Sequence, residues 1–146
     1  MIDQNDWPPA RYDEWFASLT TRPTPKSKRS GRFEIKYTGE NNYLLAGGGQ
    51  QFWADGIEAC TVLEVKLALG FGRSPFVQAS GIPDIVRDKI VAKVRDEFRR
   101  IGVIIADEGN PLTRVRVITN EPRAIPFFTA LMEEFGLVGE VIVRPE

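Results

Sequence analysis

Residues 61–67, Thr-Val-Leu-Glu-Val-Lys-Leu, constrain the fold more than any other stretch of this 146-residue chain. Thr61, Val62 and Val65 are β-branched, and with two leucines they make the run a strand. The apolar residues Val62, Leu63, Val65 and Leu67 around two charges mark it as a central strand. Side chains two apart share a face, so Glu64 and Lys66 point the same way. Such charges are costly inside an apolar core, but at the mouth of a sheet they can form a site. Asp55-Gly56 lies just upstream. The expected arrangement has Asp55 ending one strand, Ile57 to Cys60 turning the chain, and Glu64 brought opposite Asp55.

The rest of the chain supplies partners for that strand. Residues 10–19 read as a short helix with Tyr12, Trp15, Phe16 and Leu19 on one face. Residues 20–31, with two prolines and several hydroxyl residues, read as a loop. Phe33 to Tyr37 alternates apolar and polar as a half-buried strand does. Further strands are expected at Asn42–Ala46 and Gln51–Ala54, with Gly47-Gly48-Gly49 as a flexible turn between them. An irregular loop over 70–83 leads to a helix over 84–106 with Val86, Ile90, Val94, Phe98, Ile101 and Ile105 as its apolar stripe. A strand at 115–119, a helix at 125–135 stopped by Gly136, and a strand at 141–143 complete the order. The pattern predicts one α/β (α+β) domain, a mixed central sheet flanked by helices, with residues 1–31 as an N-terminal helix and basic loop and 32–146 as the core.

Composition narrows the chemistry. The chain has no histidine and one cysteine, Cys60, which excludes imidazole triads, imidazole metal sites, disulfide frameworks and multi-cysteine clusters. Catalysis would have to run on carboxylates, Lys, Arg, Tyr or a hard cation. Nineteen basic and twenty acidic residues give a net charge of −1, so nucleic-acid binding would need a local patch. The window Arg22–Lys36, with six basic residues against Glu34, is such a patch, or else a solvated linker. No signal peptide or membrane-spanning run is legible. Cys60 and Trp53 both read as core packing.

Asp55 and Glu64 could supply carboxylate oxygens to Mg²⁺ (or Mn²⁺), the backbone carbonyl of Val65 a further ligand, and Lys66 could orient or deprotonate a water and face phosphate charge. None of this needs a histidine. The competing reading is a cross-strand ion pair on a solvated face, and Glu34-Ile35-Lys36 is a second Glu-x-Lys that warns against weighing the motif alone.

At Phe52-Trp53-Ala54-Asp55-Gly56 and Val62-Leu63-Glu64-Val65-Lys66 the chain resembles the PD-(D/E)xK nucleases. More closely, it resembles the restriction-endonuclease-like toxin domains of bacterial polymorphic toxins. The resemblance runs through Ser74-Pro75-Phe76, the long helix, Val117-Ile118-Thr119-Asn120 and Gly136-Leu137-Val138-Gly139, about residues 50–144. Ala54 stands where the motif's name has proline. The resemblance implies a restriction-endonuclease-like core and metal-dependent phosphodiester hydrolysis, with Asp55, Glu64 and Lys66 catalytic. It also implies a helix-borne acid at the metal, for which Glu14 is placed suitably and Asp13 less so. It implies DNA, or RNA, as substrate, a cognate immunity protein, and action as a secreted effector in the cytoplasm of a target bacterium. Lys26, Lys28, Arg29, Arg32 and Arg73 are the candidate phosphate contacts. A non-catalytic immunity or adaptor module and an Arg/Glu transferase are the alternatives.

Overall fold

A computed structural model describes residues 7–69, 74–77 and 81–146; Arg73 lies outside them. Among the described residues the order is α1 (Pro9–Ser18), β1 (Thr21–Pro23), α2 (Arg29–Thr38), β2 (Asn41–Gly47), β3 (Gln50–Ala54), β4 (Gly56–Glu58), β5 (Thr61–Lys66), α3 (Asp84–Ala106), β6 (Arg114–Thr119), α4 (Ile125–Glu134) and β7 (Gly139–Val143). The α+β class holds. The strands divide into two sheets, an antiparallel β1-β2-β3 sheet and a mixed β4-β5-β6-β7 sheet, where one central sheet was expected.

The division falls at Asp55. Ala54 pairs with Tyr43 in the first sheet and Gly56 with Leu63 in the second, so β3 and β4 are one extended segment that changes sheets at a single residue. The β4–β5 turn is Ala59-Cys60, tighter than the 57–60 expected, since Glu58 already pairs with Thr61. Ala59 adopts a positive φ of 51° to make it. Gly48 and Gly49, both at positive φ (56° and 80°), form the two-residue β2–β3 turn. Two glycines suit such a turn because both of its residues need left-handed backbone. The Gly48 N–H donates to Asp107 Oδ2 at 2.8 Å, so this turn is anchored rather than loose.

β5 runs parallel to β6, and β6 to β7, with α3 and α4 as the crossovers. Val62, Val115 and Val117 pack with Phe98, Ile101 and Phe128 in the core. Phe76 joins them, its ring centroid 4.9 Å from that of Phe128. The α3 stripe starts later than the periodicity suggests. Val94, Phe98, Ile101 and Ile104 are buried, while Ile85 and Val86 are exposed because the first turns overrun the core.

One element differs in kind. Phe33–Tyr37, expected as a strand, lies within α2, toward its C-terminal end. Five alternating residues also place Phe33 and Tyr37 four apart on one helical face. Their rings meet edge-on at 5.3 Å, with Phe33 buried. Tertiary packing decided between two periods that so short a segment cannot separate. The expected 20–31 loop likewise contains β1 and the first turn of α2.

Candidate active site

The change of sheet frees the backbone of Asp55 from either ladder. Its N–H donates instead to Glu64 Oε1 at 3.3 Å, and its own Oδ2 accepts the Val65 N–H at 2.7 Å. Each carboxylate thus fastens the other's strand, which is the Asp55–Glu64 juxtaposition expected from the spacing. Glu64 and Lys66 lie on the same face as Val62, toward α3. Lys66 Nζ is 2.8 Å from Glu97 Oε2 and 3.8 Å from Glu64 Oε2.

Glu64 is only 2% exposed. Its Oε2 has no hydrogen-bond donor among the described residues, the lysine being its nearest cation at 3.8 Å. A buried carboxylate oxygen left without a donor is costly. Burial pushes the Glu64 carboxyl well above its usual range, and the neighbouring Asp55 charge adds to this. Asp55 is pushed to about 8, chiefly by burial and then by the charge of Glu34; Lys66 and the Val65 N–H oppose the rise. For Lys66, burial would lower the pKa, but Glu64, Glu97 and Asp55 together outweigh it and hold the amine protonated.

Glu34 comes from α2. Asn42 Nδ2 donates to its Oε1, Thr24 Oγ1 lies 3.4 Å from the same oxygen, and the Asn42 amide reaches Thr24 Oγ1 at 3.2 Å. Both Asn42 and Thr24 are buried. The Glu34 carboxyl is also hydrogen-bonded to that of Asp55.

Asp55, Glu64 and Lys66 open onto a hollow of about 270 Å³ lined also by Arg22, Phe52, Trp53, Lys93, Glu97 and Arg100. Its lining has four cations and three carboxylates. Among the described residues no three His, Cys, Asp or Glu side chains meet in a metal-holding group. The ligating atoms on offer are nonetheless all oxygen, with one buried carboxylate oxygen lacking a hydrogen-bond donor among the described residues. That suits a hard cation held by one or two carboxylates, with water and substrate completing its shell.

The family described as restriction endonuclease fold toxin 2 matches residues 29–138, three quarters of the chain. The chain belongs to that family. Comparison with curated proteins and with solved structures finds no match. In this restriction endonuclease fold toxin the match starts at α2, upstream of the stretch that carries the resemblance in sequence. It therefore takes in Glu34 as well as Asp55, Glu64 and Lys66.

Not every candidate reaches the hollow. Glu14 lines a separate depression with Trp7, Arg11, Trp15 and Ser18; Glu34 is the helix-borne acid at Asp55. Arg29 and Arg32, with Phe33, Lys36 and Glu146, line a larger hollow of about 390 Å³ that shares no residue with the first. There Arg29 pairs with the Glu146 carboxylate. Arg32 donates to the Lys26 and Ser27 carbonyls, and Lys26 pairs with Glu40 at 3.2 Å. Lys28 precedes the first turn of α2. Trp53, expected in the core, is only half-buried and carries the Arg22 guanidinium 4.3 Å above its ring.

Sequence reasoning missed Glu34, Glu97, Lys93 and Arg100 as site residues, and reached Arg22 only as the start of the basic window. Lys93, Glu97 and Arg100 each sit one residue before a buried α3 position (Val94, Phe98, Ile101), so a polar stripe beside the apolar one was available as a signal. No helix among the described residues is long and apolar enough to cross a membrane.

Proposed function

We propose that this toxin is a metal-dependent nuclease that hydrolyses phosphodiester bonds of nucleic acid, DNA in preference to RNA, using Mg²⁺ or Mn²⁺. The observation that carries this reading is Glu64, a buried carboxylate interlocked with Asp55, its second oxygen without a hydrogen-bond donor among the described residues, at a hollow lined by both carboxylates and cations. Asp55 and Glu64 would hold the cation. The Val65 carbonyl is a third donor, since a strand residue's N–H and C=O lie on one side and the Val65 N–H is directed at Asp55. Glu34 fixes the Asp55 carboxyl from α2. When bound, the cation supplies Lewis-acid polarisation of the phosphoryl oxygen and a water of lowered pKa.

Lys66 acts as a cation rather than as a base. Three carboxylates keep it protonated, so it donates hydrogen bonds to water or to the phosphate and opposes the charge that develops there. Lys93, on the α3 wall, faces the polyanion, with Arg100 beside it held by Asp96 and the Gln51 carbonyl. The toxin assignment favours an effector delivered into the cytoplasm of a target bacterium and neutralised in the producer by an immunity protein.

The test is incubation of the purified protein with supercoiled plasmid and with total RNA, in Mg²⁺, Mn²⁺ or EDTA, beside Glu64→Ala and Lys66→Ala. Cleavage of DNA that needs metal and both side chains is expected. Cleavage of RNA alone would change the substrate and keep the chemistry. Failure to cut either polymer, with both variants as toxic as the parent when produced in bacteria, would reject the reading.

A further inference from the structure

Several cations on this surface already have a carboxylate. Arg95 pairs with Glu134, Arg99 and Arg100 with Asp96, and Arg116 with Glu58 and Glu140. Arg22 is different. It is exposed on β1, and among the described residues neither a carboxylate nor a hydrogen-bond acceptor pairs with it. Its guanidinium rests instead 4.3 Å over the Trp53 ring, at the edge of the hollow that holds Asp55, Glu64 and Lys66. An arginine stacked on an aromatic ring is held in place without using its N–H donors. All five remain in one planar fork, the geometry that grips phosphate oxygens in pairs.

We propose that Arg22, braced on Trp53, binds the phosphate next to the scissile one. The substrate class is then a polynucleotide with a phosphate beyond the cleaved bond, not an isolated diester. The proposal rests on the nuclease reading above and adds a positioning element to it. Lys66 is already the cation at the carboxylates, so Arg22 is not needed at the scissile group. Trp53 precedes Asp55 by two residues, roughly 6–7 Å along an extended strand, a step comparable to that between successive phosphates. Trp53 thus sets the distance, and Arg22 supplies the charge.

The experiment uses the full chain with Glu64→Gln to prevent cleavage. It measures binding of a labelled duplex DNA, and of single-stranded DNA and RNA, as a function of NaCl concentration. Arg22→Gln is expected to weaken binding and to make the slope of log K against log[salt] shallower by about 0.9 for duplex or about 0.7 for a single strand. Arg22→Lys should restore the slope without the full affinity, because charge returns without the fork. Trp53→Leu should keep the slope and lose affinity, with Trp53→Phe recovering most of it. In the cleaving protein, Arg22→Gln should raise KM by a larger factor than it lowers kcat. An unchanged slope in Arg22→Gln, with nucleic acid still bound, would overturn the Arg22 assignment and leave the nuclease reading standing. Loss confined to Trp53→Leu on single strands would replace phosphate binding with base stacking. A parent that binds no nucleic acid would overturn both readings.

Discussion

Two substitutions at the paired strands should move stability in opposite directions. Asp55 is held near 8 in the folded protein, mainly by burial, against an ordinary value of 3.8. A carboxyl raised in this way favours folding fully below its unfolded pKa and loses that contribution as pH rises through its folded pKa. At pH 8 and without metal the cost is substantially present. Asp55→Asn keeps an oxygen for the Val65 N–H and removes the charge. It should raise stability by about 1–2 kcal/mol, roughly 3–6 °C for a chain of this size, while abolishing cleavage. Lys66→Met does the reverse. It keeps an apolar stem but leaves Asp55, Glu64 and Glu97 without their shared cation, and removing one partner of a buried pair costs about 3–5 kcal/mol. The loss should shrink between pH 8 and pH 6 as the acids take up protons. Urea unfolding of both metal-free variants at the two pH values checks both expectations; equal signs would show that the lysine does not balance the acids.

At the scale of elements, the reading of the sequence succeeded where residue pattern and burial agree. β5, α3, β6 and α4 are long or strongly periodic, and they emerged close to the expected bounds. Asp55, Glu64 and Lys66 were legible for the same reason: two charges in an otherwise apolar strand need an explanation. α2 was not legible, because Phe33-Glu34-Ile35-Lys36-Tyr37 fits a period of two as well as one of 3.6. That single misreading hid Glu34, which lies beside Asp55, and left as helix-borne acid only Glu14, which lines a separate depression. Glu34→Gln should therefore lower cleavage about 10–100-fold, the usual effect of removing a group that orients a metal ligand, whereas Glu14→Gln should cut like the parent. A loss in Glu14→Gln with none in Glu34→Gln would reverse the assignment. The seat of α2 has its own test. A Cβ on Gly56 would lie 2.9 Å from Thr38 Cβ, closer than packed carbon atoms approach. Gly56→Ala should cost about 1–3 kcal/mol and, by pushing α2 outward, reduce activity beyond what its stability loss explains.

The molecule as a whole is built with opposing pH dependences. Asp96, held low chiefly by a hydrogen bond from Arg99, and Asp107, held low by the Gly109 and Gly48 N–H groups, stabilise the fold above the carboxylate range and lose that contribution as pH falls. Asp55 and Glu64 lose theirs as pH rises. Without metal, the Asp55 contribution should already be falling above the ordinary carboxylate range, decline steadily through pH 6 and 7, and level off once Asp55 itself ionises near 8. A divalent cation needs the same two carboxylates ionised, so it competes with protons, and its binding must release them. Added Mn²⁺ or Mg²⁺ should thus raise the melting temperature little at pH 6 and markedly at pH 8. The stabilisation reaches about 2.7 kcal/mol at a concentration one hundred times Kd. The decline with pH should then flatten or reverse. Melting curves from pH 6 to 9 with metal and with EDTA measure this. Titration calorimetry in two buffers of different ionisation enthalpy counts the released protons. Asp55→Asn should lose the metal-induced shift together with the part of the decline that Asp55 carries, while buried Glu64 keeps its own. A variant that kept the full metal-induced shift would show that the cation does not need Asp55.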